Sequence, residues 1–225
     1  AIVGVLFPAF GALIGSNPRK AAKMLFSGVK YTFISVFPII IIIFIFANEG
    51  LNIWLGDEFS DRGTTVLKLL VVGALINSLA YFPFAMLHAS GRPDLTAKLH
   101  LAEAPIYMLI AWILITKYGI EGAAITWVLR AIIDTIILFI MAGRGLNITY
   151  PKIQISLIAL AVCSLLFISI FLPENLYFKL CFTATSLLVF AVLSWKILLN
   201  QDEKSFIFSY SKKSKSSILN KDLRN

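Results

Sequence analysis

Charged residues are scarce in this sequence of 225 residues. Asp, Glu, Lys and Arg make up only 14% of it, and hydrophobic residues make up 59%, whereas a soluble domain has about 25% charged and about 45–50% apolar residues. This shortage of charge excludes an ordinary soluble globular domain and indicates a membrane protein. The net charge of +8 would suggest nucleic-acid binding in a soluble chain. Here the Lys and Arg residues lie between and after the apolar runs, where membrane topology explains them.

Cysteine is also scarce, and the common catalytic motifs are absent. Cys163 and Cys181 lie inside apolar runs without CxxC spacing, which favours buried free thiols over a metal or redox site. The sequence has no GxSxG, HExxH or P-loop motif. Acidic residues at 57–61 could serve a glycosyltransferase, but Arg62 follows them, and a solvated loop fits this short patch better. We therefore expect no enzyme activity, no metal site and no cofactor.

Long apolar runs, by contrast, are abundant. A membrane-spanning helix needs about 20 mainly apolar residues, and six runs qualify: roughly 29–48, 65–89, 98–116, 122–142, 155–172 and 176–199. A seventh run, 1–14, is partial, and because the sequence begins inside it we expect a fragment of a longer protein. The runs lack the strict alternation of outer-membrane strands. The sequence thus predicts an all-α polytopic membrane protein with six full transmembrane helices plus a partial first one.

The connections between the apolar runs alternate in positive charge. Fifteen cations lie in or beside one alternate set of connections and in the tail: Arg19, Lys20, Lys23, Lys30, Arg92, Lys98, Arg144, Lys152, Lys196, Lys204, Lys212, Lys213, Lys215, Lys221 and Arg224. Four lie in or beside the other set: Arg62, Lys68, Lys117 and Lys179. Cytoplasmic loops carry the excess of Lys and Arg, so the first set is predicted to be cytoplasmic. A transmembrane domain at 1–199 is then followed by a basic cytoplasmic tail at 200–225.

Two stretches of the sequence share a pattern. Residues 7–24 and 82–99 both contain Phe-Pro, a second proline ten residues after the first, and a lysine five residues later. One interpretation is an internal repeat of helix pairs, as in many transporters. The other is a coincidence between two membrane helices that each contain proline.

Several ionisable residues lie at membrane depth, where each charge costs at least about 2.5–3.5 kcal/mol and usually faces a partner or a wet cavity. Arg130 and Asp134 are four residues apart on one helix face and can pair. Counting from the tight turn "KYGIEG" places Glu103 about one turn from Asp134 across a helical hairpin. We therefore predict one buried cluster of Glu103, Arg130 and Asp134.

This cluster has two interpretations. In the first, the carboxylates neutralise Arg130, and the ion pairs hold two helices together. In the second, Arg130 faces a hydrated lumen and binds an anionic group such as phosphate, while the carboxylates orient it or relay protons. His88 and His100 lie near the turn "SGRPD", where the membrane interface is the simpler explanation, and the alternative is that both are polar residues of the cavity. Asn77 lines the same cavity or makes one interhelical hydrogen bond.

Several stretches resemble one known family. "LNIWLGDEFS" at 51–60, "FPFAMLHASGRPDLTAKLHLAEAPIY" at 82–107 and "YGIEGAAITWVLRAIIDT" at 118–135 are similar to the C-terminal half of bacterial polysaccharide-biosynthesis flippases. These are the O-antigen and repeat-unit flippases of the multidrug/oligosaccharidyl-lipid/polysaccharide (MOP) exporter superfamily. "LFPAFGAL" at 6–13 resembles the end of their eighth helix. The resemblance covers roughly residues 1–145 and weakens over the last two helices.

The resemblance implies a fold of two pseudo-symmetric helical lobes that face each other across a cavity. This chain would supply most of the second lobe, and the missing N-terminal lobe of the same protein would be its partner. The complete protein would move an undecaprenyl-pyrophosphate-linked oligosaccharide across the bacterial cytoplasmic membrane, among membrane lipids and beside polysaccharide polymerase machinery, for O-antigen and lipopolysaccharide biosynthesis.

The resemblance also implies roles for particular residues. Arg130 is the first candidate to bind the pyrophosphate, with Arg92 and Lys98 as further candidates at the cytoplasmic mouth. Glu103 and Asp134 are candidate carriers of a coupling proton or sodium ion. A multidrug or cation exporter and a lipid II flippase of the same superfamily are alternatives. A non-transporting membrane scaffold subunit, whose charges are only structural, is an alternative of another class.

Overall fold

The computed structural model describes residues 2–146 and 175–199, with shorter pieces at 160–161, 163–164, 167–168, 173, 201 and 203–205. The helices are α1 (Ile2–Ile14), α2 (Pro18–Ile45), α3 (Ala47–Leu55), α4 (Asp57–Ala89), α5 (Pro93–Leu146) and α6 (Leu176–Leu193), followed by a π-helix (Ser194–Leu198). The predicted helix at 155–172 and the predicted tail at 200–225 lie mostly outside the described residues. The chain divides into two compact units, residues 1–183 and 184–225.

Four helices in the described part of the chain are long and apolar enough to cross a membrane: Pro18–Ile45, Asp57–Ala89, Pro93–Arg144 and Leu176–Leu198. No β-strand occurs among the described residues. The chain is therefore an all-α polytopic membrane protein, which confirms the predicted fold class. The 13 residues of α1 span about 20 Å, less than the roughly 30 Å hydrocarbon core of a bilayer.

The longest helix, α5, is a hairpin of two antiparallel arms, 93–118 and 120–146, that meet at Gly119. This glycine has non-helical backbone angles, φ 58° and ψ −132°, in a region that glycine enters without steric cost. In a straight helix Glu103 and Arg130 would be about 40 Å apart, because each residue adds about 1.5 Å. Their side chains lie 3.8 Å apart instead, so the hairpin predicted from "KYGIEG" is confirmed.

Close approach of the two arms depends on Gly122. A Cβ atom at this position would collide with the backbone carbonyl of Leu114 on the opposite arm. Small residues let helices in membranes approach until their backbones touch. Gly122 therefore sets the spacing of the arms near the turn, and with it the register of the side chains that face each other further along the hairpin.

The second arm of α5 also packs against α4, which carries many of the buried residues. Four buried positions follow one face of this arm at intervals of seven or four residues: Ala124, Ala131, Leu138 and Ala142. On α4, Gly73 leaves the space that the ring of Trp127 fills. This packing fixes the rotation of the second arm about its axis.

The connection between the apolar runs 29–48 and 65–89 is largely helical. α3 ends at Leu55, Gly56 turns the chain with a φ of 86°, and α4 begins at Asp57. The prediction that the acidic residues 57–61 form a loop is therefore wrong, because their backbone is helical. Their charge is compatible with a helix because the positive end of the helix dipole favours carboxylates in the first turn.

The two similar stretches of sequence occupy equivalent places in the fold. Pro8 and Pro83 lie inside α1 and α4, and Pro18 and Pro93 are the first residues of α2 and α5. Proline suits the first position of a helix, where its missing N–H leaves no hydrogen bond unmade. This equivalence favours a repeat of helix pairs over a coincidence of sequence.

Large hydrophobic side chains point outward from the first arm of α5 and from α6. Leu101, Met108 and Trp112 are mostly exposed, and in a membrane such positions contact lipid or another membrane helix. Cys163 and Cys181 form no disulfide bond, and both are exposed as well. The prediction of buried thiols is therefore wrong, because apolar neighbours along a membrane helix do not place a residue in the protein core.

Candidate functional site

The hairpin of α5 brings four ionisable side chains together, here called the α5 cluster: His100, Glu103, Arg130 and Asp134. Each arm supplies two of them at a spacing of three or four residues, which puts them on one helix face. His100 Nδ1 lies 3.5 Å from Glu103 Oε2 and 3.7 Å from Asp134 Oδ1. Arg130 Nε lies 3.8 Å from the same Glu103 oxygen. The three residues predicted to cluster are therefore brought together, and His100 joins them.

Within the α5 cluster, Arg130 and Asp134 each contact the opposite arm. Arg130 lies beside Glu103, and its Cζ is 5.5 Å from the centre of the Tyr107 ring, within the range of a cation–π interaction. Asp134 lies beside the imidazole of His100. The expected interaction between Arg130 and Asp134 along one helix is thus supplemented by two closer contacts across the hairpin.

Burial differs sharply between the carboxylates and the arginine. The side chains of Glu103 and Asp134 are 11% and 13% exposed, whereas that of Arg130 is 42% exposed. Glu103 Oε1 and Asp134 Oδ1 are inaccessible to solvent and have no hydrogen-bond partner among the described residues. Nearly all buried polar atoms in proteins are hydrogen-bonded, so the α5 cluster has acceptor capacity that its own side chains do not use.

A cavity of about 170 Å³ adjoins the α5 cluster between α4 and α5. His100, Arg130 and Asp134 line it from α5. The other polar and aromatic lining residues are Asn77, Tyr81, Phe84 and Trp127. An apolar groove of about 240 Å³ borders Arg130 and Glu103 on another side. The cavity lining therefore combines a partly exposed arginine, a carboxylate, an imidazole, one amide and three further aromatic rings.

The other residues predicted to bind substrate lie elsewhere. Arg92 lines a separate pocket of about 450 Å³ together with Ser90 and Arg144. Lys98 is exposed and forms an ion pair with Asp94 at 3.5 Å. The structure therefore does not bring Arg92 or Lys98 into the α5 cluster.

The three polar residues predicted to face the cavity have different surroundings. Asn77 and His100 line the 170 Å³ cavity. His88 instead forms a hydrogen bond with Thr96 Oγ1 at 2.9 Å, and its ring lies 4.1 Å from that of Phe84. The sequence does indicate that His100 belongs to the α5 cluster, because His100 lies three residues before Glu103 and therefore on the same helix face. Its position near a turn favoured the membrane interface instead.

A second ionic contact was not predicted from the sequence. Lys179 Nζ of α6 donates a hydrogen bond to Glu49 Oε1 of α3 at 2.6 Å, and the two side chains are 8% and 27% exposed. Lys68 of α4 lies close enough to interact with both charges. The two partners are 130 residues apart in sequence, and no local pattern links them.

The fold and the α5 cluster together define a polytopic α-helical membrane protein with a charged, partly aromatic cavity at membrane depth. No family model and no solved structure matches the chain. A Shigella flexneri protein named "Putative O-antigen transporter" is 35% identical over 106 residues, which are 47% of this chain and 25% of that protein.

Two archaeal proteins are also similar to the chain. One, from Methanocaldococcus jannaschii, is an uncharacterized membrane protein, 30% identical over 132 residues, or 57% of this chain and 25% of that protein. The other, from Haloferax volcanii, is named "Probable low-salt glycan biosynthesis flippase" and is 24% identical over 138 residues, or 61% of this chain and 29% of that protein. The chain thus spans about a quarter of the length of these relatives, and it is similar to membrane proteins named for glycan transport.

Proposed function

We propose that this chain is part of a membrane flippase that moves a lipid-linked oligosaccharide, carried on undecaprenyl pyrophosphate, across the bacterial cytoplasmic membrane for surface polysaccharide biosynthesis. The names of two relatives support the flippase class. The observation that carries the substrate assignment is the partly exposed side chain of Arg130 in the lining of a cavity between α4 and α5.

The charge of the substrate explains the need for Arg130. A pyrophosphate within a membrane protein requires cationic donors, and the planar fork of a guanidinium matches phosphate oxygens better than an ammonium does. Glu103 and Tyr107 contact the Arg130 side chain, of which 42% remains exposed. Glu103 thus orients Arg130 without burying it.

The aromatic lining of the cavity suits a glycan. Tyr81, Phe84 and Trp127 present rings to the same space as Asn77; the rings provide apolar surface for the faces of sugars, and the amide provides hydrogen bonds for hydroxyl groups. The cavity of about 170 Å³ is smaller than the roughly 300–1,000 Å³ of ordinary ligand pockets. We therefore expect the remaining contacts to the substrate to come from the N-terminal lobe of the complete protein.

Replacement of Arg130 tests this proposal. In cells that lack their own copy of the gene, full-length protein with Arg130→Gln should export surface polysaccharide at least about tenfold more slowly, because a charged hydrogen bond of roughly 1.5–3 kcal/mol is lost. Arg130→Lys should recover only part of the rate, because lysine keeps the positive charge but lacks the planar guanidinium that can bind two phosphate oxygens at once. Export would be measured by polysaccharide staining, with the amount of protein in the membrane checked by immunoblot.

The matched control is Arg62→Gln. Arg62 is exposed and pairs with Glu58 at 3.8 Å, so its loss should leave export unchanged. Normal export by the Arg130→Gln protein would refute the proposed phosphate contact. It would then favour the scaffold alternative, in which the charges only hold helices together.

The distribution of positive charge predicts the orientation of the chain in the membrane. Alkaline phosphatase is active only outside the cytoplasm, so a fusion after residue 174 should be active and a fusion after residue 199 inactive. The physical reason is the retention of Lys-rich and Arg-rich connections on the cytoplasmic side. Phosphatase activity measured on whole cells decides the orientation, and the reverse pattern would overturn it.

A further inference from the structure

Three of the four members of the α5 cluster form a donor set for a metal ion. His100, Glu103 and Asp134 each offer one ligand atom, and these atoms all lie within 4.8 Å of one another. Imidazole nitrogen and carboxylate oxygen are the ligands that Zn²⁺ and related divalent cations take in proteins. Two of the ligands come from one helix at a spacing of three residues, and the third comes from the facing arm.

The spacing of the donor atoms is close to that of a metal site. Ligands about 2.1 Å from a tetrahedral metal lie roughly 3.4 Å from one another. His100 Nδ1 is 3.5 Å from Glu103 Oε2 and 3.7 Å from Asp134 Oδ1. Small side-chain rotations would therefore complete three metal–ligand bonds, and water in the adjoining cavity could occupy the fourth position.

The unsatisfied oxygens of the α5 cluster provide an independent observation. Asp134 is buried with 9% relative exposure, and its Oδ1, which faces His100, has no hydrogen-bond partner among the described residues. Glu103 Oε1 is likewise buried and unpartnered in the described chain. A cation bound to Asp134 Oδ1 would satisfy that acceptor. Glu103 contacts His100 through Oε2, so its Oε1 would be satisfied only if Glu103 bound the cation through both oxygens.

The charges of the α5 cluster limit which cation it can bind, and they make Arg130 a competitor of that cation for Glu103. Two carboxylates balance a divalent cation, and an imidazole ligand favours a transition metal over Na⁺, Mg²⁺ or Ca²⁺, which prefer oxygen ligands. Arg130, 3.8 Å from Glu103, repels a metal bound to the same oxygen. Metal binding therefore requires Arg130 to move away from Glu103, toward the cavity that it already lines.

We propose that His100, Glu103 and Asp134 form a binding site for a divalent transition-metal cation such as Zn²⁺, and that the metal competes with Arg130 for Glu103. The site goes beyond the proposed transport of a glycan lipid, since it requires only the hairpin of α5. It differs from the expectation, drawn from the motifs of the sequence, that the chain has no metal site.

Metal titration of the full-length protein in detergent tests this inference. After removal of metals with a chelator, Co²⁺ should bind with visible d–d absorption, and Zn²⁺ should displace it. His100→Ala and Asp134→Asn should each weaken Co²⁺ binding at least about tenfold, because each removes one of three protein ligands. Arg130→Gln should instead tighten binding about tenfold, since it removes a nearby like charge.

Two control variants preserve the α5 cluster. His88→Ala removes an imidazole that contacts Thr96, and Asp94→Asn removes an exposed carboxylate that pairs with Lys98; both should bind Co²⁺ as the wild type does. A wild-type protein without d–d absorption, or a His100→Ala protein with unchanged affinity, would overturn the site. Weaker binding by Arg130→Gln would overturn the competition. Binding is measured without transport, so failure here is distinguishable from failure of the proposed function.

Discussion

The Gly122→Ala variant is expected to lose much of its stability, because one added methyl group separates the arms of α5. The new Cβ would collide with the backbone carbonyl of Leu114, and a backbone atom cannot rotate away as a side chain can. Overpacking a tight site costs typically about 1–3 kcal/mol and occasionally more, and we expect about 3 kcal/mol here. Thermal unfolding of the full-length protein in detergent measures this as a clear drop in midpoint.

A matched glycine provides the control for this prediction. Gly11 lies inside α1, and a Cβ atom there meets nothing within 4 Å. Gly11→Ala should be neutral or stabilising by up to about 1 kcal/mol, because alanine loses less conformational freedom in a helix than glycine does. Equal midpoints for the two variants would contradict the backbone contact that we describe at Gly122.

The second large effect is expected at the ion pair between α3 and α6. Lys179→Met removes the cation that contacts Glu49 at 2.6 Å, on a side chain that is 8% exposed. Removing one partner of a buried pair costs roughly 3–5 kcal/mol, because the other charge remains without compensation. Glu49 is partly exposed and Lys68 lies nearby, so we expect about 3 kcal/mol, measured by thermal unfolding in detergent.

A double variant measures the interaction between Glu49 and Lys179 apart from the interactions of each residue with the rest of the protein. When Glu49→Gln is combined with Lys179→Met, no uncompensated carboxylate remains, and the double variant should be more stable than Lys179→Met alone. The coupling between two contacting residues appears as the difference between the double variant and the sum of the single ones. Additive losses would mean that the two side chains do not stabilise the fold as a pair.

Local sequence patterns predicted much of the fold and the centre of the site. The hairpin of α5 followed from the tight Gly-containing turn, and distances counted from that turn brought Glu103, Arg130 and Asp134 together. These inferences succeeded because helix geometry fixes both the rise per residue and the face on which residues four apart lie.

Features that depend on tertiary packing were not predictable in this way. The rotation of the second arm about its axis determines which residues of the first arm its charged side chains contact. Trp127, which packs beside Gly73, helps to fix that rotation. The contact of Glu49 with Lys179 joins segments that no local pattern relates. The acidic residues 57–61 are predicted as a loop because they are not apolar, but a helix needs no apolar residues where its first turn is exposed, and these residues begin α4.

The hairpin of α5 has a consequence for motion. Its arms share a backbone-to-backbone crossing at Gly122 and charge contacts around Glu103, so sliding one arm past the other would break both at once. The two arms should therefore move together as one rigid body in any conformational change of the protein. The short connection 90–92 before the first arm, where Gly91 has a φ of 73°, is then one place where the pair of arms can change its direction relative to α4.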